Sequence, residues 1–187
     1  MKFWKLALVA AGLIAATGCV VTRHPIYTAK DVIDLPGLAG TWIDEKEETR
    51  WVFQAAKDKA FDLTYTEKGL DGTFEARAVR LGEYVFLDVY PKAPEKMNDF
   101  YLMHFLPVHT AFLASLDGDR LTLSLPNVNW MEKQEQAKKL KAAHEKWDDR
   151  LVLTGPTAEL QKFLIQIAPN KDAFGDREKY PRPGLIL

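Results

Sequence analysis

The chain has 187 residues, 47% hydrophobic and 11% aromatic, with 25 basic and 26 acidic side chains and a formal net charge of −1. That is enough apolar material for one domain with its own core. The charge is too evenly balanced for a nucleic-acid-binding surface or a polybasic membrane patch, and one cysteine gives no disulfide framework.

The first 18 residues have the make-up of a secretory signal. Lys2 and Lys5 supply a positive start, residues 6–16 are an unbroken small and apolar run, and Ala16, Thr17 and Gly18 form a small-residue cleavage zone before Cys19. The apolar run is shorter than the roughly 20 residues a bilayer span requires, so cleavage is expected rather than a retained anchor helix. The 169 residues that remain carry 23 basic and 26 acidic side chains, because Lys2 and Lys5 leave with the signal.

Residues 19–36 read as a tether, broken by Pro25 and Pro36. Short strand-like segments follow at 41–44 and 49–54. Over 59–67, Phe61, Leu63 and Tyr65 alternate with Asp62, Thr64 and Thr66, the period of a half-buried strand. After the Asp71-Gly72 turn signal, residues 73–81 alternate again, with Phe74, Ala76 and Ala78 opposite Glu75 and Arg77. Gly82 then allows a tight reversal into 84–90. Residues 100–107 and 110–116 are apolar on both faces and read as strands covered on both sides. Asp117, Gly118 and Asp119 turn the chain into 120–125, with Leu121, Leu123 and Leu125 on one side. This spacing predicts a mainly β domain over 37–168, an antiparallel barrel or sandwich of about 8–10 short strands.

Helices are expected at 130–141 and 156–168. The first has Trp130, Ala137 and Leu140 on one face. The second has Pro156 in its first turn, Glu159 near its positive end, and a stripe of Leu160, Phe163, Leu164 and Ile167. Between them, 142–147 either extends the first helix or pairs as a strand across Asp148-Asp149 with 150–154. The strand is favoured because Leu151, Val152 and Leu153 need a neighbour. Residues 169–187 read as an irregular tail.

The segment Leu13-Ile-Ala-Ala-Thr-Gly-Cys19 resembles the lipobox of bacterial lipoproteins. In that family the Cys thiol receives a diacylglycerol, the chain is cut just before it, and the new amine takes a fatty acid such as palmitate. The resemblance implies that Cys19 is the lipid-carrying first residue of a periplasmic domain. Val20, where an Asp would signal inner-membrane retention, implies the outer membrane. A lone thiol bound for an oxidising compartment agrees with this, since lipidation consumes it. Acyl chains at about 0.8 kcal/mol per buried methylene would hold the domain stably. Residues 81–91 and 104–109 also resemble segments of bacterial lipoproteins that have no assigned activity.

Gly40-Thr41-Trp42 resembles the Gly-x-Trp signature of lipocalins. There the Trp plugs the closed end of an eight-stranded up-and-down barrel, a late Arg packs on it, and a helix lies against the outside. The resemblance implies a lipocalin-like barrel with Trp42 as a structural plug, Arg150 or Arg120 as its partner, and 156–168 as the helix. A fold analogy of this kind brings no function with it.

Tyr65, Phe74, Tyr84, Phe86 and Tyr101 are candidates to line a barrel cavity for an apolar ligand, or else to fill the barrel as core. His104, His109 and Asp88 are the candidate metal or general-base set. Their spacing puts the two imidazoles on opposite faces of a continuous strand unless Pro107 bends it, so structural histidines are the simpler reading. Asp88 lies in the apolar run 86–90 and must be paired if buried, with Arg77 or Arg80 on the neighbouring strand as the expected partner. Gly-x-Ser-x-Gly, Ser-x-x-Lys and phosphate-cradling glycine loops are absent from the sequence. Lys133, Lys138, Lys139 and Lys141 read as a solvated helix face.

The sequence therefore favours a non-catalytic, outer-membrane-anchored lipoprotein that binds an apolar or amphipathic small molecule or an envelope protein. The membrane is its partner through the N-terminal lipid, and no cofactor or nucleic acid is expected. The competing reading is an envelope hydrolase or metal-dependent enzyme using His104, His109 and Asp88. A third is a purely structural envelope component with the barrel packed shut.

Overall fold

Alternation at period 2 carries the chain through one antiparallel meander, because each inward side chain is followed by one pointing out of the pleat. The computed structural model describes residues 19–183 except 45, 47, 95 and 176; the segment 1–18, read above as a secretory signal, lies outside the described residues. In chain order the strands are β1 (Val20–Thr22), β2 (Gly40–Ile43), β3 (Thr49–Ala55), β4 (Ala60–Glu67), β5 (Leu70–Leu81) and β6 (Tyr84–Pro91). After helix α1 (Asp99–His104) come β7 (Thr110–Asp117), β8 (Arg120–Ser124) and helix α2 (Val128–Gln136). The chain ends with β9 (His144–Trp147), β10 (Arg150–Leu153), helix α3 (Thr157–Ile167) and β11 (Glu178–Pro181).

Strands β2 to β8 and β11 form an eight-stranded antiparallel sheet in the order β11-β8-β7-β6-β5-β4-β3-β2. Its two edges, β2 and β11, come into contact, so the sheet curls into a nearly closed barrel. This is the mainly β, lipocalin-like architecture the sequence predicts. Gly82 and Gly118, at φ 60° and 55°, make the β5–β6 and β7–β8 reversals.

Parity splits the apolar residues into two cores. Trp42, Trp51, Phe53, Phe61, Leu63, Ala76, Leu87, Val89, Leu121, Leu123 and Tyr180 fill the barrel. The opposite parity of β5 to β7, including Val79, Leu81, Phe86 and Ala111, faces a second layer. That layer is the three-stranded sheet β1-β10-β9 together with the Leu160, Phe163, Leu164 and Ile167 stripe of α3. Burial of each Val, Leu, Ile or Phe among them is worth about 1.5–3 kcal/mol, so the two cores hold the layers together.

Several expectations are corrected. The segment read as a tether begins with β1, paired in parallel with β10, and its Val20, Val21 and Ile26 are buried. The strand expected at 100–107 is instead α1, which starts where the Asn98 side chain accepts a hydrogen bond from the Tyr101 amide. The helix expected to reach 141 stops at Gln136, and Lys138 sits at φ 55°. Residues 144–147 and 150–153 do form the favoured hairpin, with Asp148 at φ 53° in its turn. The tail contains β11, which supplies the eighth strand of the barrel.

Candidate functional site: the plugged end of the barrel and the Asp88–His109 pair

One barrel end is built by the Pro36–Leu38 turn, the β5–β6 and β7–β8 reversals and the end of β11. Trp42 is fully buried there, and its indole Nε1 donates to the Leu38 carbonyl at 2.8 Å. The Arg182 guanidinium lies 4.3 Å from the Trp42 ring, donates to the Gly37 and Ala39 carbonyls at 2.6 and 3.1 Å, and pairs with Asp119 at 3.4 Å. Gly40 is required beside it: its φ is +126°, and a Cβ would lie 2.5 Å from Arg182 Nη1. The partner of Trp42 is thus Arg182. Arg150 and Arg120 are exposed, the first on the three-stranded sheet and the second at the β7–β8 turn, because β11 rather than either of their strands closes the barrel.

Beside this plug a cleft of about 350 Å³ enters the barrel. Leu35 and Leu38 flank it, Ala78, Leu87, Leu116 and Leu121 are among its apolar walls, and Arg80 and Glu83 stand at its rim. Its size lies at the lower end of small-molecule sites, and an apolar wall with a few polar groups at the rim is the usual lining of such sites. It suits an apolar tail with a polar head.

The five aromatic candidates do not converge. Tyr65 and Phe74 point into the barrel, where Trp51, the cross-strand neighbour of Trp42, packs on Tyr65, Phe112 and Tyr180 at centroid distances of 4.7, 5.5 and 5.8 Å and helps fill the interior. Burial pushes the Tyr65 and Tyr180 hydroxyls above their ordinary range, Tyr180 aided by the Glu178 carboxylate that accepts its hydrogen bond. Tyr84 and Phe86 have the other parity and belong to the outer core. Of the five, Phe86 alone borders the cleft, while its ring packs 6.4 Å from Phe174. Tyr101 is exposed on α1.

Of the histidine–carboxylate set, the fold unites two members. Asp88 is 2% exposed, and its Oδ1 accepts from His109 Nδ1 at 2.6 Å. A carboxylate can only accept, so the imidazole proton sits on Nδ1. Oδ2 accepts the Ile26 amide at 3.0 Å. Thr22 and His109 exchange backbone hydrogen bonds at 2.8 Å each, and the Tyr90 ring lies 4.4 Å from that of His109. The pair therefore pins the N-terminal segment onto the barrel.

The remaining expected partners are elsewhere. Arg77 stands opposite Asp88 in the β5–β6 register but pairs with Glu75 at 2.9 Å and donates to the Asp58 carbonyl at 2.8 Å. Neither Arg77 nor Arg80 takes the expected role, because the N-terminal segment reaches the carboxylate instead. His104 is exposed on α1, with Nδ1 on the Phe100 carbonyl at 2.7 Å. Among the described residues no three potential ligands cluster to hold a metal.

Cys19 is exposed at the edge of the domain, and its carbonyl accepts from the Leu151 amide at 3.0 Å. No described helix is long and apolar enough to cross a membrane. Sequence reasoning missed Arg182 and the aliphatic walls of the cleft. A cation two residues beyond an aromatic, in Tyr180-Pro181-Arg182, was the available signal for the former. No protein-family model, curated protein or solved structure matches this chain.

Proposed function

We propose that this protein is a lipoprotein anchored to the outer membrane through Cys19 and facing the periplasm. In this reading it is a non-catalytic binder whose cleft takes an apolar or amphipathic small molecule. The cleft of about 350 Å³ beside the Trp42 plug carries the reading, since apolar walls meet a rim of opposite charges there. The packing of Trp51 on Tyr65 and Tyr180 fills the interior beside Trp42, and the cleft lies next to it, lined by Leu38, Leu87 and Leu121. The exposed Cys19, directly ahead of β1, supports the anchor because a lipidating enzyme can reach its thiol. The competing enzyme reading loses one arm, for His104 lies on α1 while His109 and Asp88 serve each other and the backbone of the N-terminal segment.

Two measurements on the protein purified from its bacterial host test this. Native mass spectrometry should find a co-purifying apolar or amphipathic species; an empty protein that also takes up no fatty acid or phospholipid would count against the binder. Cys19→Ser should abolish incorporation of a fatty-acid probe, and continued incorporation would sink the anchor.

A further inference from the structure

We propose that α1 and the loop after it form a tip that enters the phospholipid bilayer. The β6–β7 connection stands out from the domain: no described residue from 92 to 108 is buried. Phe100, Met103 and Leu106 are 73%, 68% and 73% exposed, and Tyr101 and Leu102 are exposed beside them. Apolar side chains in such a run cost solvation free energy in water, and contiguous exposed patches of this kind mark a docking surface.

The geometry selects a bilayer as the occupant. Phe100, Tyr101, Leu102 and Met103 are consecutive on a helix, so at 3.6 residues per turn they point to every side of it. The flat face or groove of a partner protein covers one stripe of a helix, whereas lipid surrounds all of it. Tyr101 suits the headgroup boundary, where its ring can leave water while its hydroxyl stays hydrated.

On the reading that Cys19 carries lipid, the anchor fixes which side of the domain lies along the membrane. Thr22 and His109 are bridged in the antiparallel sense and β1 runs beside β7, so Cys19 and Leu106, each three residues before its bridged residue, lie on opposite sides of the bridge along one flank of the barrel. At no more than about 3.6 Å per residue, with about 5 Å across the bridge, they are at most roughly 27 Å apart. Because β1 begins at Val20, the anchor has no slack, so a domain held there and dipping its tip lies with this flank towards the bilayer. The tip also lies at the barrel end opposite the cleft, so its insertion turns the cleft mouth away from the membrane.

The test uses the full chain matured in a bacterial host and reconstituted in vesicles of phosphatidylethanolamine and phosphatidylglycerol. Met103→Cys carries an environment-sensitive dye, and Lys57→Cys, exposed at the opposite barrel end, serves as the control. With Cys19 consumed by lipid, each variant takes one dye. The dye at 103 should shift to the blue and be quenched by lipid-borne quenchers placed about 5–10 Å below the headgroups, while the dye at 57 should remain in water. Adding Phe100→Ser and Leu106→Ser should abolish that quenching. A dye at 103 as wet as the dye at 57 overturns the proposal. Dye uptake by the wild-type chain would show a free Cys19 and sink the anchor alone. The same depth measurement in Cys19→Ser would then decide for or against the tip by itself.

Discussion

The Arg182 guanidinium lies over the Trp42 ring, 4.3 Å from its centre, and ties the last barrel strand to the turn before the first by donating to the Gly37 and Ala39 carbonyls. Arg182→Ala removes a cation–π contact and orphans two carbonyl partners, so it should destabilise the fold by about 1–3 kcal/mol. Arg182→Lys should recover only part of this, since an ammonium lacks the planar fork. Urea titration checks both; an unchanged midpoint for Arg182→Ala would mean that the barrel closes without the clasp.

Gly40→Ala probes the same junction from the other side. A methyl there meets Arg182 Nη1 at 2.5 Å on a backbone of φ +126°, so the variant should lose at least as much stability as Arg182→Ala. In the double variant the steric part should vanish and the two losses should be less than additive, as a double-mutant cycle would measure.

The cleft is open to a volume test. Ala114→Phe adds a ring to its wall and should weaken binding of a hydrophobic fluorescent probe about tenfold or more. Because the ring enters space that is empty, thermal stability should change less than for overpacking of a filled core, which costs about 1–3 kcal/mol. Probe binding at wild-type strength in Ala114→Phe would place the ligand elsewhere.

Asp88 holds two donors at once. Asp88→Ala should orphan the Ile26 amide and His109 Nδ1, at about 1–3 kcal/mol for each buried donor. Hydrogen exchange should report the loss first at Ile26, whose amide loses its partner. Asp88→Asn keeps one acceptor oxygen and should fall between. Exchange at Ile26 unchanged in Asp88→Ala would show that the segment is held by β1 alone.

Alkaline stability follows from the tyrosines. Tyr180 is raised above the ordinary value of 10.0, chiefly by burial and then by Glu178, and Tyr65 is raised by burial. The unfolded chain gives up these protons near pH 10 while the folded one retains them. Their contribution is therefore intact below pH 10 and declines as pH rises from there towards the higher folded-state values. Tyr180→Phe should flatten the fall in stability above pH 10, as chemical denaturation at a series of pH values would show; an equally steep fall would assign it to other groups.

The sequence by itself determined the strands from β3 to β8 and the stripe of α3, since period 2 and period 3.6 are set by local backbone geometry and leave their mark on every consecutive side chain. It also placed Gly40 and Trp42 at the opening of the barrel. Tertiary structure decided what those local patterns meet. Gly37 and Arg182 are 145 positions apart, and only the closing of β11 beside β8 brings them together. β11 was illegible because a single residue of it, Tyr180, is buried, too few for an alternation. Residues 100–107 were apolar in the manner of a covered strand, yet none of them is buried among the described residues: apolarity states that a side chain prefers to leave water, and not which surface will take it. Asp88 was legible as a buried carboxylate needing a partner. That the partners are His109 and Ile26, and not Arg77, depended on where the N-terminal segment crosses the barrel wall.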